Sequence, residues 1–334
     1  MTVTIKDVAR AAGVSVATVS RVLNDSGPVS AETRRRIREI ARQLRYTPNG
    51  AARSLITSRT TTLGVLLPDL HGEFFSEVIR GTDQAAQERG YHLLVSSSHN
   101  VPSEIEAALT AMRGRVDGLV IMSPAIDAAT LASTVPATLP VVLLNCAVGD
   151  DAFDALNVDN FGGAYAMTRH LLTRGGRRRV AMVCGAPGNA DAAERLAGYR
   201  AALRDGRAER RRGWELPGDF QQRSGYDAAQ RLLAMSPRPD ALFAANDSMA
   251  IGALSALREG GVRVPEEVAV AGFDDIPIAR YMSPPLTTVR VDIAGLGGRA
   301  VEMLVDAVER KNAHRRRQET VPVELLVRGS CGGA

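Results

Sequence analysis

Thr4 to Asn24 read TIKDVARAAGVSVATVSRVLN, and the spacing of apolar and capping residues in this stretch fits two short helices joined by a glycine turn. Thr4 stands three residues before Asp7, whose carboxylate suits the positive end of a helix dipole, so the first helix starts there. Val8 falls on its inner face, and Ala9, Ala11 and Ala12 are small enough for close packing. Gly13 supplies the backbone freedom needed where the chain reverses. Ser15 then caps a second helix, in which Val19, Val22 and Leu23 recur at helical spacing and bury against the first. Helices joined in this way can lay the second one in the DNA major groove. Its outward face carries Val16, Ala17, Ser20 and Arg21: small apolar groups for thymine methyls, and a guanidinium for a guanine edge. The same pattern fits a plain helical hairpin with a solvated arginine, and the neighbouring sequence has to decide between the two.

Ser30 caps a third helix reaching about Arg45, with Ile37, Ile40, Ala41 and Leu44 as its core face. Tyr46, Thr47 and Pro48 end it. The following NGAARSLIT is too short to hold a helix alone in water, and Gly50 weakens it, so it reads as a conditional helix. Through residue 60 there are eleven Lys or Arg against four acids, a balance of +7, which leaves −3 for the rest of a chain whose total is +4. Positive charge gathered on one small domain is the footprint of a polyanion binder. The run RRRIR at 34–38 fits phosphate contact, and equally a solvated face with Glu32–Arg36 and Arg35–Glu39 pairs.

The 334 residues are enough for two or three cores. No run of about 18 apolar residues predicts a membrane span, and the N-terminus has no hydrophobic signal core. Cys146, Cys184 and Cys331 are far apart with no C-x-x-C pair, against both a disulfide framework and a zinc site, and in keeping with a reducing cytoplasm. No H-E-x-x-H, phosphate loop or G-x-S-x-G elbow occurs. We therefore expect no catalytic residues, no metal and no cofactor.

From Thr62 short apolar runs alternate with amphipathic stretches. LGVLLP, YHLLVSSS, DGLVIMSP and VVLLN read as buried parallel strands, with helices near Phe74–Arg89, Ser103–Arg113 and Asp127–Ser133. RVAMVCG, DALFAAN, VAVAGFD and TTVRV form a second set, with helices near Phe161–Thr173, Asp191–Leu203, Tyr226–Ala234 and Ser248–Glu259. The fold class is α/β: two doubly wound parallel sheets with a cleft between them, preceded by a small all-α helix-turn-helix domain. Asp205 to Pro217 is polar and reads as a surface loop holding the only tryptophan.

The run from Ile5 to Leu55, through VSVATVSRVLN, VSAETRRRI and YTPNGAARSL, resembles the N-terminal module of the lactose-repressor/galactose-repressor (LacI/GalR) family of bacterial transcription factors. The likeness continues in order through LLPDLHGEFFSEVIRG, RVDGLVIMSP, RLAGYRAAL, ANDSMAIGAL, VAVAGFDDIPIARYMSPPLTTVR and LLVRGS, over nearly the whole chain. It implies a DNA-binding domain at 1–47, a hinge helix and linker at 48–60, and an effector-binding and dimerisation domain at 61–334. The last would be two-lobed, like the periplasmic sugar-binding proteins. Its first lobe would take in about 61–160 and 293–320 and its second about 161–292 and 321–330, the chain crossing near Asn160, Asp292 and Val321. The resemblance further implies a homodimer on pseudo-palindromic double-stranded DNA. Contacts would come from Thr4, Ser15, Val16, Ala17, Thr18, Ser20, Arg21, Asn24, Asn49, Ala52, Arg53 and Leu55, the last as an apolar wedge at the operator centre. With no leucine heptads after Arg328, a dimer is expected rather than a tetramer.

Ligands of such sheets bind beyond the carboxyl ends of the strands. Family effector contacts map by motif to Phe74, Phe75, Asn145, Asn189, Asp191, Arg195, Phe220, Asn246 and Asp274. Carboxylates accept from adjacent hydroxyls, asparagine and arginine donate, and an aromatic face covers a sugar ring, so the set suits a saccharide. Purine-responsive relatives carry an arginine where Asn189 stands, and many relatives have glutamine where Val291 stands. Asp247 and Asp275 fit helix capping or ion pairing equally well and are left out. Phe74 and Phe75 are not both expected to face the cleft fully, and Arg195 also fits a structural ion pair. The expected function is an effector-controlled repressor of sugar genes, acting in the cytoplasm. The competing readings are a purine- or nucleoside-responsive repressor, an activator, a sugar-binding transport protein and, lacking any nucleophile, an enzyme.

Overall fold

The computed structural model describes residues 3–46, 59–124, 126–146, 152–173, 176–310 and 313–332. The chain divides into two compact units, 1–60 and 61–334.

Among the described residues the first unit holds three helices, α1 (Ile5–Ala12), α2 (Val16–Leu23) and α3 (Ala31–Gln43). Each starts at a residue equipped to stop the chain from winding further back. Asp7 accepts from Thr4 N at 3.0 Å and from Thr4 Oγ1 at 2.7 Å, and these bonds hold its carboxyl below the usual range. Ser15 and Ser30 accept from the amides of Thr18 and Thr33. Gly13 closes α1 in the left-handed region at φ +63°. Val8, Val19, Val22 and Ile37 are fully buried at the centre, with Ala9, Ala12 and Ala41 around them. Ala11, expected in the packing, faces solvent, because the buried arc of α1 is centred between Val8, Ala12 and Ala9 and Ala11 falls beyond its edge. The Glu32–Arg36 and Arg35–Glu39 pairs do not form. Asp25 instead sits where Arg34 and Arg38 both reach its Oδ1 at 2.6 Å.

The second unit is built on two six-stranded sheets. The first runs β11 (Gln318–Val321), β5 (Asp154–Val158), β4 (Val141–Leu144), β3 (Gly118–Ile121), β1 (Thr62–Leu67), β2 (His92–Ser97), all parallel. The second runs β12 (Glu324–Leu326), β10 (Thr287–Arg290), β9 (Ala269–Asp274), β8 (Ala241–Ala244), β6 (Val180–Val183), β7 (Glu215–Leu216), parallel except for β12. Their strands are near-continuous apolar runs because helices cover both faces. Helices α4 (Glu73–Glu88), α5 (Pro102–Met112), α6 (Ala128–Thr134) and α11 (Ile293–Arg310) serve the first sheet, and α7 (Asn160–Thr173), α8 (Ala190–Asp205), α9 (Gln222–Leu233) and α10 (Asp247–Glu259) the second. The chain changes sheet after Val158, after Arg290 and after Val321.

The stretch 205–217 is the exposed loop expected only as far as Gly213. Trp214 is only 2% exposed, and Glu215–Leu216 adds β7 to the edge of the second sheet beside β6. A two-residue strand is too short to show periodicity; the neighbouring β6 edge makes it one. Helix α9 begins four residues before the Tyr226 expected.

Candidate functional site

In the first unit, Val16, Ala17 and Arg21 form the exposed face of α2, with Val16 40% exposed. Ser15, the cap, also shares a 2.9 Å bond with Thr18 Oγ1, and Ser20 accepts from Asn24 Nδ2 at 3.3 Å. The polar groups beside the outward face are thus pre-oriented, and the arginine stem stands clear of the core. Thr4 is exposed at the start of α1. Asn49, Ala52, Arg53 and Leu55 lie outside the described residues.

In the second unit a cavity of about 530 Å³ opens where the carboxyl ends of the strands of both sheets meet. That volume lies within the usual range for small-molecule sites. All nine residues named from motif line it: Phe74, Phe75 and Asn145 from the first lobe, and Asn189, Asp191, Arg195, Phe220, Asn246 and Asp274 from the second. The two lobes differ in kind. The first presents Phe74 and Phe75 edge to face at 5.6 Å, with Pro68, Met122 and Pro124. Both phenylalanines line the cavity, each half-buried. The second lobe presents nearly all of the charge.

Arg195, 4% exposed, is the centre of that polar floor. Its Nε donates to Asn160 Oδ1 at 2.8 Å, and its Nη1 to Ala245 O at 2.6 Å and to Asp274 Oδ1 at 3.2 Å. Its guanidinium lies 3.8 Å over the Phe273 ring. It is both a cavity residue and a structural ion pair, so the two readings are not exclusive. Asn160, 1% exposed, turns its amide nitrogen to Asp191 Oδ1 at 2.9 Å. Burial pushes the Asp191 carboxyl up, against Arg195 and the amides of Asn160 and Asn145. Burial likewise pushes Asp274 up to about 7, with Arg195 pulling the other way.

Three asparagines of the lining have their carbonyl oxygens committed to backbone amides. Asn189 caps α8 through Ala192 N, and Asn246 caps α10 through Met249 N while its amide holds Phe220 O at 3.0 Å. Asn246 therefore fixes the Phe220 loop as well as lining the cavity. Asn145 accepts from Val158 N, and its buried Nδ2, on the side of the Asp191 carboxylate, makes no hydrogen bond within 3.5 Å among the described residues. Asn145, Phe220, Asp274 and Asp275 all have φ between +48° and +112°, a backbone cost tolerated here because the surrounding bonds over-determine it.

The two excluded aspartates are structural. Asp247 is fully buried, accepting from Thr288 Oγ1 at 2.6 Å and Ile276 N at 3.0 Å, and burial beside Asp274 raises its carboxyl well above the usual range. Asp275 pairs with Arg328 at 2.6 Å. Sequence reasoning missed Glu73, whose carboxylate reaches from the first lobe to Ile278 N of the second at 2.9 Å, and Gln221, Gln222, Arg223 and Ile276 in the lining. It also missed Asn160 as a polar link. Its place beside a sheet crossing was the only available signal.

Among the described residues no group of His, Cys, Asp or Glu is arranged to hold a metal, and no helix is long and apolar enough to cross a membrane.

Residues 4–49 match the model for bacterial regulatory proteins of the lacI family, and residues 168–331 match a periplasmic binding protein-like domain. The Escherichia coli (strain K12) ribose operon repressor is 34% identical over 331 residues, covering 98% of this chain and 99% of the relative. The chain belongs to the LacI family. The Haemophilus influenzae (strain PittEE) HTH-type transcriptional repressor PurR is 33% identical, with 98% of each LacI-family chain covered. A solved structure of the Lac repressor dimer bound to operator and the anti-inducer ONPF superposes with a TM-score of 0.87 at 28% identity over 99% of both chains. This LacI-family protein is a DNA-binding transcriptional regulator with an effector-binding domain, not an enzyme.

Proposed function

We propose that the chain is a repressor of sugar-utilisation genes that binds a pseudo-palindromic operator as a homodimer, under the control of an uncharged, sugar-like effector in the interlobe cavity. It would act in the cytoplasm, where its DNA is, and its three cysteines are free. The observation that carries the effector class is the division of the cavity into an acceptor-rich floor and an apolar wall. Asp191 and Asp274 offer carboxylate oxygens to vicinal hydroxyls, while Arg195 spends three of its five N–H donors inside the floor and keeps the Nη2 pair for a ligand oxygen, and the two carboxylates beside it disfavour an anion. Phe74, Phe75 and Phe220 supply faces for the apolar side of a ring. Asn189 stands where purine-responsive relatives carry arginine, which argues against a nucleobase.

On the DNA side, α2 with Arg21 outward would read base edges, and residues 48–60, with Leu55 as wedge, would pair at the operator centre. Cavity occupation needs only to favour one lobe arrangement over another by about 1–3 kcal/mol to switch operator affinity.

A thermal-shift screen against D-ribose, D-glucose, cellobiose, adenosine and hypoxanthine tests the effector class, because a ligand of the native state raises Tm. Hits should be saccharides, and the best should change affinity for a selected operator in fluorescence anisotropy. Hits confined to the nucleoside and base, or saccharide hits that leave operator affinity unmoved, would refute the reading.

A further inference from the structure

Asn160 is the first residue of α7, two positions beyond β5, where the chain leaves the first sheet for the second. It is 1% exposed, and both ends of its amide are engaged: Oδ1 by Arg195 and Nδ2 by Asp191. Among the described residues no other side chain in the cavity floor bonds to both of these charged groups. The surroundings tie the same point to other crossings. Asp159 N donates to Val321 O at 3.1 Å, where β11 hands over to β12, and Val291 N, just before α11, donates to Asp274 O at 3.2 Å. Gly163 lets α7 lie against the Phe273 ring under Arg195, since a Cβ there would come within 2.9 Å of that ring and of Val289 and Val323.

We infer that Asn160 is the positioning residue that fixes Asp191 and Arg195 to the interlobe crossing, so that load placed on those two groups is borne by the crossing itself. An amide is suited to this place because one group must accept from a guanidinium and donate to a carboxylate in one plane. Aspartate has the same shape and keeps the acceptor, but turns a second carboxylate on Asp191. The charged groups bearing on Asp191 are Arg195, Glu194 and Asp274. Arg195 is the only cation among them and is already shared between Asp191 and Asp274, so the added carboxylate is matched by no further positive charge. The inference rests on the cavity being the effector site only for its functional meaning; its test uses no ligand.

Three proteins are compared: the wild type, Asn160→Asp, and Asn160→Asp combined with Asp191→Asn, which returns a donor and an acceptor to the contact with their places exchanged. At pH 8 the single variant should melt about 5 °C or more below the wild type. That loss should shrink toward pH 5 as the two carboxylates come to share a proton. The double variant should recover most of it at pH 8. Hydrogen–deuterium exchange should rise together over 157–164 and 189–197 in the single variant and fall together in the double. If Asn160→Asp does not fold, Asn160→Ala supplies the exchange measurement. A pH-independent loss, absence of rescue by the second substitution, or faster exchange in only one of the two segments would overturn the inference. A silent saccharide screen would defeat the proposed effector class and leave this result intact.

Discussion

Replacing Asp274 by Asn measures what it costs to keep a charge on the cavity floor. Asp274 is 4% exposed, and burial pushes its carboxyl up to about 7 although Arg195 lies 3.2 Å away. In the unfolded chain the same group titrates near about 4. A carboxyl raised in this way favours the fold fully below about pH 4, and the contribution is lost as pH rises through about 7. At roughly 1.4 kcal/mol per pKa unit the loss is about 4 kcal/mol. Asparagine is neutral throughout and nearly isosteric, so Asp274→Asn should lose nothing over that window. Measured against the wild type at each pH, so that other carboxylates cancel, the variant should gain up to about 4 kcal/mol between pH 4 and pH 8. For a unit the size of residues 61–334 that corresponds to about 7 °C in Tm. Melting both proteins by circular dichroism across this range is sufficient. Parallel curves, or a variant that loses ground as pH rises, would mean that the pairing with Arg195 outweighs burial, and the reasoning would fail. If a saccharide hydroxyl donates to the ionised Asp274, wild-type affinity should also tighten up to about pH 7 and then level off.

Arg21→Ala should weaken operator binding by roughly 1–3 kcal/mol in an anisotropy titration without unfolding the first unit, since the side chain is exposed; unchanged affinity would remove α2 as the reading helix. Arg328→Ala leaves Asp275 buried without its cation and should cost about 3–5 kcal/mol in urea unfolding; a loss below about 1 kcal/mol would show that the pair is dispensable. Gly252→Ala places a Cβ 1.9 Å from Gln222 O, where α10 crosses α9, and should cost roughly 1–3 kcal/mol while displacing the neighbouring Gln221 and Phe220; wild-type stability would show that this helix crossing relaxes freely.

What could be read in the sequence was local. The caps at Ser15 and Ser30 and the reversal at Gly13 depend on groups three or four residues apart, so the string of residues already contains the bond. The nine cavity candidates came from the family resemblance, motif by motif, and the topology agrees with it: each stands at or near a strand end or in the helix that follows one, and in a doubly wound sheet those ends share one side. The partner of Asp25, the burial of Trp214 and the strand at Glu215–Leu216 were not findable, because each depends on a surface supplied from elsewhere in the chain.

The sequence by itself determined the helix-turn-helix unit, the alternation of strand and helix, and the residue types available to the cavity, all set by short-range periodicity and capping. Only the tertiary structure decided what those residues do to one another: that Asn246 holds the Phe220 loop, that Arg195 is committed to three acceptors, and that Asn160 joins Asp191 to Arg195 at the crossing between sheets. The physical reason is that Coulomb energy, desolvation and hydrogen-bond geometry depend on distances between residues 26 to 79 positions apart, and a one-dimensional pattern does not contain those distances.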